Sequence, residues 1–164
     1  MQKINYKSTN RIKVSLLNVG LYFLFIVTVL IPFLFIVYNP ISGVGHFFYD
    51  KRSFSLITFP VFLYFLVVGI YSYKVVIDPY IIQITSSRLF ISIFKQGDYI
   101  DIAHTMLRDY SFFDRSFSFN KTLMLKIETP SGRLIAKRFN LTLISEKEID
   151  KISDRLNRII VKNN

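Results

Sequence analysis

Asp98, Asp101 and His104 are the only close grouping of carboxylates and an imidazole in this 164-residue chain. Two acids and a histidine at spacings of three are a donor set from which a metal can draw ligands. Without a second ring of hydrogen-bonding groups to orient them, they read instead as a turn carrying surface charge. His46, the other imidazole, has no ligand cluster beside it and reads as a solvated loop residue. The chain has no cysteine, which removes disulfides, thiolate metal sites and thiol nucleophiles together. Ser86 and Ser87 lack an oxyanion-loop context. No catalytic, cofactor-binding or metal-ligating residue is therefore expected, and the chain reads as a non-enzyme that takes no cofactor.

Binding chemistry is better represented. Lys95, Lys126, Arg133, Lys137 and Arg138 form a candidate basic face for anionic lipid or for a protein partner, each cation contributing on the order of 1 kcal/mol near a charged leaflet. Tyr110, Phe112, Phe113 and Phe117 crowd around Asp114-Arg115 and form a candidate interaction edge, although a sheet needs the same residues as core. Nucleic acid is not an expected partner. The net charge of +10 owes much to the N-terminal cations and a loop, and no aromatic-basic nucleic-acid motif is present.

The elements that position these groups divide the chain. Two apolar runs, 14–38 and 54–73, contain no Lys, Arg, Asp or Glu, and about 20 apolar residues cross a hydrocarbon core as a helix. They predict a transmembrane hairpin over 14–73. Residues 1–13 carry Lys3, Lys7, Arg11 and Lys13 and no acid, which predicts a cytoplasmic N-terminus and a retained anchor rather than a cleaved leader. Pro32 and Pro60 fall inside the runs and are candidate kinks. Residues 39–53, with Asn39-Pro40 and Gly43 to Gly45, read as the outer loop. The spans hold no ionisable group, so a pump or channel acting alone is not expected; Asn18, Thr28 and Tyr64 are their polar members.

After residue 74 the apolar period becomes two, and 74–164 reads as one small cytoplasmic domain. Ser86-Ser87 is a candidate hairpin turn and Arg88 to Lys95 a candidate strand. Leu123, Leu125 and Ile127 alternate inward with Met124, Lys126 and Glu128 outward. Thr129-Pro-Ser-Gly132 predicts a turn. Ser145-Glu-Lys-Glu148 is a capping box opening a helix over 146–161, with Ile149, Ile152, Leu156, Ile159 and Ile160 as one stripe.

The pair KVVIDPYIIQIT, the strand RLFISIF, the segment YIDIAHT and the TPSG hairpin before a final helix together resemble a bacterial pleckstrin-homology-like domain following two transmembrane helices. The resemblance implies an α+β chain, with an antiparallel barrel or sandwich of six or seven strands closed by the C-terminal helix. It also implies a scaffold for protein or lipid. Eukaryotic phosphoinositide-binding loops, with their Lys and Arg spacing after the first strand, are not matched. The expected place is a bacterial inner membrane, multi-pass, both termini cytoplasmic, with the bilayer and a membrane or cytoplasmic protein as partners. The alternative is an accessory or immunity subunit of a membrane assembly whose helices make the functional contacts.

Overall fold

The computed structural model describes residues 6–33, 52–89, 97–114 and 117–163. Two units divide the chain, one made of the segment up to Val14 together with Ile70 onward, the other of Ser15–Gly69.

The first unit is α+β. Strands β1 (Tyr6–Thr9), β2 (Tyr71–Ile77), β3 (Ile81–Arg88) and β4 (Asp98–Ala103) form an antiparallel sheet in that order. β5 (Leu107–Asp114), β6 (Asn120–Glu128) and β7 (Leu134–Thr142) form a second antiparallel sheet. One 3₁₀ turn, His104–Met106, joins the two sheets. Alternation decides which faces meet: Val75, Ile77, Ile82 and Ile84 from the first sheet and Leu123, Leu125, Ile127 and Phe139 from the second are all but inaccessible to solvent in one shared core. The C-terminal helix, Glu146–Asn163, adds Ile149, Ile152, Leu156 and Ile159 to that core. Each such side chain contributes about 1.5–3 kcal/mol by leaving water. Among the described residues the sheets do not close into a barrel, since each keeps two edge strands.

The second unit holds helices. α1 is regular over Arg11–Phe25 and passes into a π-helical turn at Ile26–Leu30. Pro32 lies one turn later, where its ring conflicts with the carbonyl four residues back; widening the preceding turn relieves that conflict. The helical run Arg11–Phe33, of 23 residues, is long and apolar enough to cross a membrane. α2 covers Arg52–Val68 with Pro60 inside it, and its apolar stretch Ile57–Val68 is shorter. Gly69, at φ +74°, donates to the Phe65 carbonyl and ends α2. We number the C-terminal helix α3.

Three expectations change. The N-terminal cations do not all belong to a tail, because Tyr6–Thr9 pairs with Lys74–Ile77 as an outer strand of the first sheet. Tyr71 and Tyr73, expected at the end of the second span, lie in β2. Ser86-Ser87 makes no turn: both residues sit within β3, opposite Tyr73 and Ser72, and the reversal comes earlier at Asp78-Pro79-Tyr80. Gly97 approaches that strand so closely that a Cβ there falls 2.9 Å from the Ser86 carbonyl oxygen. The remaining hairpin is as expected, with Gly132 at φ +75° donating to the Thr129 carbonyl across 2.8 Å. Residues 34–51 and 90–96, which include His46, most of the RLFISIF segment and the expected outer loop except Arg52 and Ser53, lie outside the described residues; Arg52 and Ser53 are helical and open α2.

Candidate functional site

The basic face contracts once its ion pairs are drawn. Lys126 points from the outer face of β6 and donates to Asp109 at 2.8 Å, while Arg108 pairs with Glu128. The Lys126 ammonium, by that hydrogen bond, holds the Asp109 carboxyl below its ordinary range. Two cations on this face are thus neutralised by their neighbours. Arg133, Lys137 and Arg138 have no such acid among the described residues, and all three are exposed along or just before β7. Lys95 lies outside the described residues.

The aromatic group divides in the same way. Tyr110 and Phe112 meet edge to face at 6.1 Å and pack against the core. The Tyr110 hydroxyl donates to the Ser153 carbonyl of α3, so this ring joins sheet to helix. Phe113 is 49% exposed, and Phe117 is 94% exposed in left-handed backbone, φ +56°. Only the last two remain at the surface.

Asp98, Asp101 and His104 are not brought together as a centre. The carboxylates are an odd number of residues apart on β4 and so project from opposite faces. Asp101 accepts from Gln83 Nε2 and the Tyr99 hydroxyl, each at 3.2 Å. The His104 imidazole is lowered in pKa, chiefly by burial, and leans on backbone at Asp78 and Ile81. Its carbonyl accepts from Asn163 Nδ2, which also donates to the Leu107 carbonyl. His104 is a strut between the β2–β3 turn and the end of α3. Among the described residues no group of three metal-ligating side chains occurs. In the helical unit Asn18 Oδ1 and Thr28 Oγ1 are buried without a partner among the described residues.

Sequence patterning gave no sign of the densest polar cluster. β1 ends at Thr9 because Asn10 turns the chain into α1, its carbonyl accepting from Val14 N–H at 3.0 Å. β2 extends past that point and needs new partners. Asn10, 3% exposed, supplies them: Nδ2 donates to the Tyr71 carbonyl at 2.9 Å and the Thr142 carbonyl at 2.7 Å, while Oδ1 accepts from Tyr73 N–H at 2.8 Å. Thr9 Oγ1 donates to the Tyr73 carbonyl, Thr142 Oγ1 accepts from Tyr71 N–H, and the same Thr142 hydroxyl donates to Asn120. Three side chains continue a ladder that the backbone has left. A lone Asn before an apolar helix looks like an N-cap in sequence, which hides this role.

Beside it, Glu148 closes the capping box with Ser145 and also accepts from Ser8 Oγ of β1 at 3.2 Å. Burial raises the Glu148 pKa, but hydrogen bonds from Ser145 and Ser8 and the charge of Lys13 outweigh it, and the net shift is downward. A depressed carboxyl contributes stability above its unfolded pKa and loses it as pH falls through the folded value. Glu148→Gln is therefore expected to cost about 1 kcal/mol near neutral pH and progressively less in acid, read as Tm against pH.

The Tyr73 hydroxyl is buried without a hydrogen bond of good geometry, the nearby Ser8 donating to Glu148 and only partly offsetting the effect of burial on the Tyr73 phenol. Burial pushes its pKa up to about 12. A raised tyrosine pKa means that the folded state holds the proton more tightly, so stability falls as pH rises from about 10 through 12. Tyr73→Phe is expected to leave neutral-pH stability unchanged or raise it by up to about 1 kcal/mol, and to remove that alkaline loss.

No family model, curated protein or solved structure matches the chain.

Proposed function

We propose that this protein is a non-catalytic membrane-anchored scaffold, in which a helical hairpin holds a pleckstrin-homology-like domain at the cytoplasmic face of a bacterial inner membrane. One observation carries the reading. β1 precedes the helical unit and β2 follows it, yet the two strands are neighbours in one sheet. A chain that leaves a folded domain, enters a bilayer and returns to pair with its own first strand crosses an even number of times. At 1.5 Å per residue, Arg11–Phe33 extends about 34 Å and Arg52–Val68 about 26 Å, against a hydrocarbon core of roughly 30 Å.

The helix surfaces support lipid as their solvent. Leu16 is 76% exposed, Phe23 66%, Ile57 69% and Val67 74%. A core helix of a soluble protein hides such residues; these are bare, and lipid covers them without cost. A cleaved leader fits less well, because cutting after α1 discards β1 and its Ser8–Glu148 contact. The domain reading is supported by four strands, three strands and a closing helix. A scaffold role is supported by the cations exposed along β7 and by Phe113 and Phe117, exposed on and just after β5 at the other edge of the same sheet.

The chain's lack of cysteine makes topology directly measurable. Gly45→Cys is expected to react with a membrane-impermeant maleimide in intact cells, and Ser131→Cys only after permeabilisation. Extraction by alkaline carbonate, or labelling of Ser131→Cys in intact cells, overturns the placement.

A further inference from the structure

β7 leaves one side of its backbone unclaimed. The Thr129 N–H donates to the Arg133 carbonyl at 2.9 Å, which fixes that pair as hydrogen-bonded across the hairpin. Antiparallel alternation then turns the amides of Ile135, Lys137 and Phe139 toward β6 and those of Leu134, Ala136, Arg138 and Asn140 away from it. Asn140 obeys this parity, since its carbonyl accepts from Ser86 Oγ at 2.7 Å. Leu134, Ala136 and Arg138 have no outward partner among the described residues. Their strand is the last of its sheet, and every residue from Leu134 to Arg138 is exposed.

Such an edge is a template for another strand, and folded proteins blunt it with proline, bulges, a covering element or charge. β7 carries only charge, and of one sign. Arg133, Lys137 and Arg138 surround an apolar start, with Leu134 65% and Ile135 37% exposed. A second copy pairing here in antiparallel register brings both sets of cations together, which disfavours self-association. An acidic strand meets the opposite situation.

We propose that the β7 edge, Leu134–Arg138, binds an extended acidic peptide segment of a partner protein by strand addition, with the outward amides of Leu134, Ala136 and Arg138 forming the ladder and Arg133, Lys137 and Arg138 selecting acidic side chains. The proposal rests on the reading of the domain as an interaction module and names that partner's chemistry. Backbone pairing supplies register and affinity, and the rim cations speed encounter and exclude basic segments.

The test uses the full chain in detergent micelles and a fluorescein-labelled peptide alternating Glu and Val, with a Lys and Val peptide as control. Anisotropy is expected to report binding of the acidic peptide alone at or below about 1 mM, with new amide-exchange protection at Leu134, Ala136 and Arg138. Ala136→Pro removes an outward N–H without touching the β6 ladder and is expected to weaken binding about tenfold or more. Methylating alternate peptide nitrogens should do the same while leaving the protein intact. Lys137→Glu with Arg138→Glu should reverse the preference toward the Lys peptide.

Absence of binding at that concentration overturns the proposal. So does binding that N-methylation leaves unchanged, which marks simple charge attraction, or displacement by phosphatidylglycerol mixed micelles, which marks a lipid-headgroup site. Protection appearing on another strand overturns this edge while leaving the interaction-module reading in place.

Discussion

Asn10→Ala is expected to lower the stability of the folded unit by about 2–4 kcal/mol, a drop in melting temperature of roughly 10 °C or more. The side chain makes three hydrogen bonds from a site that is 3% exposed. Its removal costs more than those bonds, because the Tyr71 carbonyl, the Tyr73 N–H and the Thr142 carbonyl stay buried and water reaches them poorly. An unsatisfied buried group carries a penalty of about 1–3 kcal/mol. Asn10→Asp separates geometry from chemistry. It keeps the acceptor for Tyr73 but points an anion at two carbonyl oxygens, so its folded pKa is raised and the variant is expected to gain stability as pH falls. Thr142→Val should be destabilising too, and the double variant less than additive, because the two residues share one network. Melting followed by circular dichroism in detergent, with ligand absent, reads all four. A loss below about 0.5 kcal/mol for Asn10→Ala sinks the account, since that is what an ordinary surface substitution costs.

The elements legible in the sequence were those whose signal is local. The Ser145–Glu148 box is closed by a 3.0 Å bond from the Ser145 N–H to the Glu148 carboxylate, and its helix buries the residues that the 3.6-residue period selects. Leu123, Leu125 and Ile127 face inward because alternation on a half-buried strand leaves little choice. Thr129–Gly132 turns because Gly132 takes a positive φ. Nonlocal features were hidden. Tyr6–Thr9 has too few residues to show a period, and its partner lies beyond the whole helical unit. Tyr71-Ser72-Tyr73 continues an apolar run smoothly, so nothing in composition marks where helix becomes strand.

The candidate binding residues fared similarly. Their types indicated surface contact chemistry, but which cations are free depends on cross-strand acids. Asp109 lies opposite Lys126 across β5 and β6, a neighbour 17 residues distant in sequence. With Lys126 paired, the candidate cations among the described residues reduce to Arg133, Lys137 and Arg138, a short basic stretch along β7. Tyr110 and Phe112 were equally ambiguous between edge and core, and packing against α3 decides for the core.

The other large effect is expected from deleting residues 2–9 ahead of Asn10, and it tests whether those residues act as a strand or merely as a cationic flank. β1 contributes four residue pairs to β2, from Tyr6 opposite Ile77 to Thr9 opposite Lys74, together with the Ser8 bond to Glu148. At about 1 kcal/mol for each ladder bond, the loss is on the order of 3–5 kcal/mol, a large fraction of a small domain's margin of about 5–15 kcal/mol. The deletion also converts β2 into an edge whose C-terminal end, Val75-Val76-Ile77, is apolar and uncharged, so aggregation should accompany the lower melting temperature. Replacing Lys3 and Lys7 with Gln removes the charge and keeps the strand. It is expected to leave melting within about 0.5 kcal/mol of the parent while weakening the orientation bias that flanking cations impose. If the deleted chain melts like the parent and only the Lys replacements disturb it, the pairing of β1 with β2 contributes nothing, and the topological argument for an even number of crossings falls with it.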